Sequence, residues 1–223
     1  MSMPEIVTPE QWERARRKLL VAEKHVTRAK DALAAQRRRM PMVPVEKDYR
    51  FLSPEGEVGL EDLFDGRRQL IVYRFFMDPG MKAYPERGCP GCSLFADHIG
   101  HLAHLRARDV NFVVVSRGEQ EHLQRYREHM GWNLPWYTLT DDWDADHGVD
   151  EWHGTNVFLR DADDNVFRTY FVNNRGDEAG TLWHFLDLTP YGRQEEWEDS
   201  PEGWPQTPPY QWWDYHDRYG DRA

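Results

Sequence analysis

Apolar side chains recur along this chain at three spacings, and each spacing predicts a different element. Trp12, Ala15, Leu19, Ala22, Val26, Ala29 and Leu33 alternate steps of three and four, which places them on one seam of a long helix. Thr8-Pro9-Glu10-Gln11 supplies a capping box with proline at the first helical position, and the pattern breaks near Met40-Pro41. Gln69 to Phe76 is instead a continuous β-branched and aromatic run between Asp65-Gly66 and Asp78-Pro79-Gly80, the signature of a central strand. Val110 to Ser116 predicts a second buried strand. Between them, Leu94, Phe95, Ile99, Leu102 and Leu105 lie near helical spacing and predict a helix from Ser93 to about Arg106.

Shorter patterns complete the order. Tyr49 to Leu60 reads as a hairpin turned at Ser53-Pro54-Glu55-Gly56, followed by a helical step at Leu60–Phe64. Glu119 to Met130 predicts a helix ended by Gly131, and Trp136 to Thr140 a short strand before an acidic, irregular stretch through Glu151. Asn156–Arg160 and Val166–Val172 form a second hairpin around Asp163-Asp164-Asn165, and Glu178 to Leu188 a last helix. Strands alternating with helices, then a hairpin and a helix, predict an α/β fold of thioredoxin-like order, a mixed sheet covered by helices. The expected organisation is a helical extension over residues 1–46, the α/β domain over 47–192 and an aromatic, acidic arm over 193–223.

Composition narrows the function. A chain of 223 residues can bury one substantial core. No apolar run approaches the ~20 residues that cross a bilayer, and Met1-Ser2-Met3-Pro4-Glu5 lacks the features of a secretory signal, so the cytoplasm is expected and no membrane partner. The net charge of -11 argues against nucleic acid as a partner. Charge is unevenly placed: Glu10 to Arg39 holds ten Lys or Arg against four acids, and Asp187 to the C-terminus nine acids against three Arg. The seam therefore calls for cover by the same chain, a sister subunit or another protein, and a homodimer through the N-terminal helix and the C-terminal arm is one arrangement that covers it. The arm, with Trp197, Trp204, Tyr210, Trp212, Trp213, Tyr215 and Tyr219, carries too much aromatic area to be a featureless linker.

The two cysteines both lie in Arg87-Gly88-Cys89-Pro90-Gly91-Cys92-Ser93, between the first buried strand and the helix pattern. A sulfur beside the free N–H groups at a helix start is stabilised as a thiolate, the species that attacks disulfides. Cys89 is the expected nucleophile and Cys92, one turn further in, the resolving thiol, so no cofactor beyond a redox-active Cys89–Cys92 disulfide is required. The substrate would be a disulfide-bearing protein or a small thiol. Arg87 is placed to lower the Cys89 pKa further, Thr155 and His153 come from the loop and strand expected to face the cysteines, and Arg117 follows the second buried strand at its C-terminal end.

Two other readings stay open. In one, the cysteines are merely small buried residues. They also suit a soft metal site for copper or zinc, built from Cys89, Cys92 and His153 in a binding or chaperone module without redox turnover. His98, His101 and His104, at three-residue steps with Asp97 nearby, add candidate ligands on the helix after Cys92, although at about 1.5 Å per residue they cannot all reach one ion with the cysteines.

Gly59 to Arg67, Leu70 to Tyr73, Gly91-Cys92-Ser93, Met130 to Trp136 and Leu186 to Arg193, with the N-terminal Trp12, Ala15, Arg16, Leu19, Leu20, Glu23, Lys24 pattern, resemble domain-of-unknown-function family 899 over roughly residues 10 to 216. That resemblance implies a thioredoxin-like fold and a predicted dithiol-disulfide oxidoreductase activity carried by Cys89 and Cys92. Two departures from better-known relatives stand out. Thioredoxins place a cis-proline opposite the cysteines, where this chain has Trp152-His153-Gly154-Thr155-Asn156-Val157 without proline, and peroxiredoxins carry Thr three residues before the peroxidatic cysteine, where this chain has Glu86 before Cys89 or Cys89 before Cys92.

Overall fold

The computed structural model describes residues 4–173, 181–187, 189, 191–209 and 211–218. The first helix, α1 (Pro9–Arg37), is capped reciprocally as its sequence predicts: Gln11 N–H donates to Thr8 Oγ1 at 3.3 Å, and Thr8 N–H donates to Gln11 Oε1 at 2.9 Å. None of its residues is buried. Trp12, Leu19 and Val26 remain 58%, 59% and 54% exposed, so among the described residues the same chain does not cover the seam, and the sister-subunit and partner-protein alternatives stay open. The acidic C-terminal segment is engaged elsewhere, and α1 meets the body near its last turn, where the Arg37 guanidinium lies 5.0 Å over the Tyr170 ring.

The body is one eight-stranded mixed sheet. Its strands are β1 (Val43–Pro44), β2 (Arg50–Ser53), β3 (Gly56–Gly59), β4 (Gln69–Arg74), β5 (Val110–Ser116), β6 (Trp136–Leu139), β7 (Gly154–Arg160) and β8 (Val166–Asn173), in the order β1-β8-β7-β4-β5-β6-β2-β3. β5 runs parallel to both neighbours, β4 and β6, and the other pairs are antiparallel. The helices are α2 (Pro90–Asp97), α3 (Ala103–Arg106), α4 (Gln120–His129), α5 (Trp143–Asp146) and α6 (Thr181–Leu186). A central β4 with parallel β5 on one side, the antiparallel hairpin β7–β8 on the other and α2 in the β4-to-β5 crossover is the thioredoxin-like arrangement.

Alternation along β4 divides the core. Tyr73 packs with Phe75, Cys92, Phe95, Tyr126 and Trp136 on the side of α2 and α4, while Leu70 and Val72 pack with Phe51, Phe64, Trp143 and Phe158 on the other. The β2–β3 hairpin, β6 and the β7–β8 hairpin fall where the hydrophobic pattern predicts them. The predicted last helix is observed as α6, while its Glu178–Gly180 and Leu188 ends lie outside the described residues.

Two local expectations change. The helix expected from Ser93 to Arg106 starts earlier, at Pro90, and divides: α2 ends at Asp97 and α3 starts at Ala103, with Gly100 in the gap. Once Leu94, Phe95 and Ala96 are buried, the His98-Ile99-Gly100 step has little helical preference to sustain the element. His98, His101 and His104 therefore do not share a helix stripe. The acidic stretch expected to be irregular contains α5, whose Trp143 is fully buried and stacks on His147 at 4.0 Å between ring centres. Burial holds that imidazole neutral, with a pKa lowered to about 4.

Candidate active site

β4 ends at Arg74, and Phe75, Phe76 and Met77 carry the chain onward beside the loop that leads into α2. The Phe76 backbone holds both cysteines. Its carbonyl accepts from Cys89 N–H at 2.8 Å, and its N–H donates to Cys92 Sγ at 3.5 Å. Cys89 is the N-cap of α2, with Pro90 in the first turn where its missing N–H costs nothing. Ser93 secures that turn by donating its N–H and its hydroxyl to the Cys89 carbonyl at 2.9 and 2.8 Å, and its hydroxyl also bonds Tyr126 at 2.8 Å.

The two sulfurs have opposite surroundings. Cys89 is half-buried and Cys92 is 3% exposed, and both are free thiols. The neighbouring Cys92 thiol is the main cause that lowers the Cys89 pKa to about 6; the amides of Cys92 and Gly91 act in the same direction, against burial. No amide closes a short capping bond onto that sulfur, so the two N–H groups act at longer range. Burial, then the neighbouring Cys89 sulfur, pushes the Cys92 pKa well up, while the Tyr73 phenol and the Phe76 amide favour its thiolate. The pair thus combines an accessible, acidic thiol with a protonated one behind it.

Glycine makes this packing close. A Cβ on Gly88 would lie 2.3 Å from Phe75 Cε1, so the residue before Cys89 has no room for a side chain. Gly91 lies under Trp213, whose Nε1 is 3.5 Å from where its Cβ would stand.

The other expected site residues divide. Thr155 lies directly across the β4–β7 ladder from Tyr73, so it shares the dithiol face of the sheet. His153 sits half-buried just before β7, with its pKa lowered by burial. Arg87, expected to act on Cys89, is engaged by the C-terminal arm: its guanidinium pairs with both Asp217 oxygens at 2.9 Å and lies 4.7 Å over the Tyr215 ring. Arg117 belongs to the opposite side, donating to Asp144 at 2.9 Å. There it joins the fully buried Arg74, which donates to Asp144 at 2.9 Å, to Asp78 at 2.7 Å and to the Phe75 carbonyl at 2.5 Å. Among the described residues no group of three or more His, Cys, Asp and Glu side chains is arranged to hold a metal ion, so Cys89, Cys92 and His153 are not brought together as a ligand set.

The C-terminal arm is the part of the site that sequence reasoning missed. Tyr215 is 4% exposed and its hydroxyl donates to the Gly88 carbonyl at 2.5 Å. Asp217 also takes His129 at 2.8 Å, and His216 meets Asp97 at 2.8 Å. The density of Trp and Tyr in the arm signalled burial, but nothing in the sequence linked it to the cysteines.

Fold and dithiol loop together define a protein of thioredoxin-like class with its only two cysteines at the start of the helix after the central strand. The chain belongs to the family described as bacterial protein of unknown function, DUF899, whose sequence model matches residues 1–219. Among solved structures it is similar to the peroxidoxin BcpB of Mycobacterium tuberculosis, at 20% identity over 63% of this chain and 92% of that one, with a TM-score of 0.41. A thioredoxin-like protein of Aeropyrum pernix aligns at 14% identity over 69% and 91% of the two chains, TM-score 0.38. The yeast mitochondrial 1-Cys peroxiredoxin aligns at 15% identity over 66% and 75%, TM-score 0.39. A search of curated proteins found no match. The fold assignment stands on the strand order itself. Among the described residues no helix is long and apolar enough to cross a membrane.

Proposed function

We propose that this protein is a thiol-disulfide oxidoreductase in which Cys89 attacks a substrate disulfide and Cys92 resolves the mixed disulfide. The observation that carries the reading is the placement of the pair across one helical turn, Cys89 half-buried at the N-cap of α2 and Cys92 buried behind it, with the Cys89 pKa lowered to about 6 and the Cys92 pKa pushed well up. At neutral pH the outer sulfur is the nucleophile and the inner one retains its proton until the mixed disulfide forms. Loss of the negative charge on Cys89 at that point removes the second cause, after burial, that raises the Cys92 pKa. The Tyr73 phenol and the Phe76 N–H then favour the second thiolate. No cofactor enters this scheme, since the electrons reside in the dithiol.

Equilibration in defined thiol-disulfide buffers, with alkylation and mass spectrometry of the Cys89–Cys92 peptide, tests the reading. The expected result is a single reversible two-electron transition whose midpoint tells whether the protein reduces or oxidises its partners. Cys89→Ser should abolish turnover and Cys92→Ser should accumulate mixed disulfides. Equal activity in the two variants, or thiols that stay inert across the buffer range, would exclude it.

A further inference from the structure

Cys89 stands between two glycines whose bare backbone would ordinarily leave the loop open to an incoming chain, at Gly88 and Gly91. Here the protein's own arm lies against both. The Trp213 indole is in van der Waals contact distance of the space over Gly91, and the Tyr215 hydroxyl holds the Gly88 carbonyl. The contact is anchored at several points: the buried Tyr215 ring, the two-pronged Arg87–Asp217 pair, His129 on Asp217 and His216 on Asp97. A second bulky group adjoins the loop. Trp152, at a positive φ of 58° that is unusual for a tryptophan, is 58% exposed and stacks at 5.4 Å on Phe76, the residue whose backbone holds both cysteines. Cys89 nevertheless remains only half-buried, so its sulfur is screened without being sealed.

We propose that the 211–218 segment is a roof over the dithiol loop that admits low-molecular-weight disulfides and refuses those of folded proteins. This rests on the oxidoreductase reading above and names its substrate class. A disulfide in a folded protein brings its own flanking chain against the loop when it reaches Cys89, and Trp213 and Tyr215 occupy the Gly91 and Gly88 sides of that loop. A small disulfide needs only the sulfur.

The chemistry balances within the pair. The Cys89 thiolate, its proton already lost to solvent, attacks one sulfur of R–S–S–R; the Cys89–S bond forms, and the first RS⁻ leaves and takes a proton from solvent. Cys92 then attacks the Cys89 sulfur, and its proton goes to the second departing thiolate. Two electrons pass from the dithiol to the substrate, giving the Cys89–Cys92 disulfide and two molecules of RSH.

The test uses the pre-reduced full chain in single-turnover reactions with hydroxyethyl disulfide and, separately, insulin, following the Cys89–Cys92 peptide by alkylation and mass spectrometry. The small disulfide should oxidise the pair at least about tenfold faster than insulin at equal disulfide concentration, a difference of about 1.4 kcal/mol in barrier. The double variant Tyr215→Ala, Asp217→Ala should raise the insulin-to-small-disulfide rate ratio by about tenfold. Trp213→Ala, which removes the indole over Gly91 and leaves the Tyr215 and Asp217 anchors in place, should shift the ratio in the same direction and serves if the double variant does not fold. Equal rates for the two substrates in the native protein, or an unchanged ratio in folded arm variants, overturns the proposal. Absence of reaction with either substrate in every protein overturns the oxidoreductase reading itself, and this one with it.

Discussion

Cys89 and Cys92 are the same side chain three residues apart, and their difference is made by position at the head of α2. The outer sulfur lies beside the Cys92 thiol and within longer reach of two amides; the inner one is enclosed by Tyr73, Phe95 and the Phe76 backbone. The sign of the pH effect follows. Only the thiolate reacts with an alkylating agent, so the Cys89 rate should rise with pH up to its pKa of about 6 and level off above it. With such a pKa the thiolate fraction grows from about one-tenth at pH 5 to about nine-tenths at pH 7. Iodoacetamide labelling of the reduced protein should therefore speed up about tenfold over that interval at Cys89 while Cys92 stays unlabelled. A Cys89 rate still climbing at pH 9 would contradict the assigned environment. The motif itself was plain in the sequence. The partner of Arg87 was not, because Asp217 lies 130 residues away and enters through an arm whose path no local pattern encodes.

Elements differ in how much of themselves the sequence displays. The β2–β3 and β7–β8 hairpins, β4 and β5 were legible because their alternation or continuous apolar run coincides with their burial. α5 was not: Trp143-Asp144-Ala145-Asp146 reads as acidic loop, and only the tertiary burial of Trp143 and the demand of Arg74 for carboxylates make it an element. Arg74 itself was ambiguous in the sequence, since a charge at the end of a strand can turn outward. It turns inward, and ties β4, the loop at Asp78, α5 and Arg117 together. Removing one partner of a buried ionic cluster leaves the others uncompensated, so Arg74→Met should cost about 3–5 kcal/mol. The reading is the urea unfolding midpoint of the reduced protein. A loss below about 1 kcal/mol would mean that the two carboxylates are satisfied without it.

At the scale of the molecule, the seam on α1 shows where sequence periodicity overstates what can be inferred. Trp12, Leu19, Val26 and Leu33 recur every seven residues, and the pattern correctly foretold a long helix, yet amphipathicity does not say what the apolar face meets. Because α1 contributes no buried residue, the α/β body should not depend on it. A chain beginning at residue 41 is expected to melt within about 2 °C of the full-length protein in a calorimetric scan, since each 1 kcal/mol would shift the midpoint by about 2–4 °C at this size. A larger drop would show that the helix supports the body.

The same helix has a mechanical consequence. Its 29 residues extend about 43 Å at 1.5 Å per residue, whereas a body of about 180 residues has a radius of gyration near ~16 Å. A rod of that length amplifies any change of angle where it joins the body: a tilt of about 5° at its Arg37 end would sweep Thr8 through about 4 Å, a displacement larger than a hydrogen bond is long.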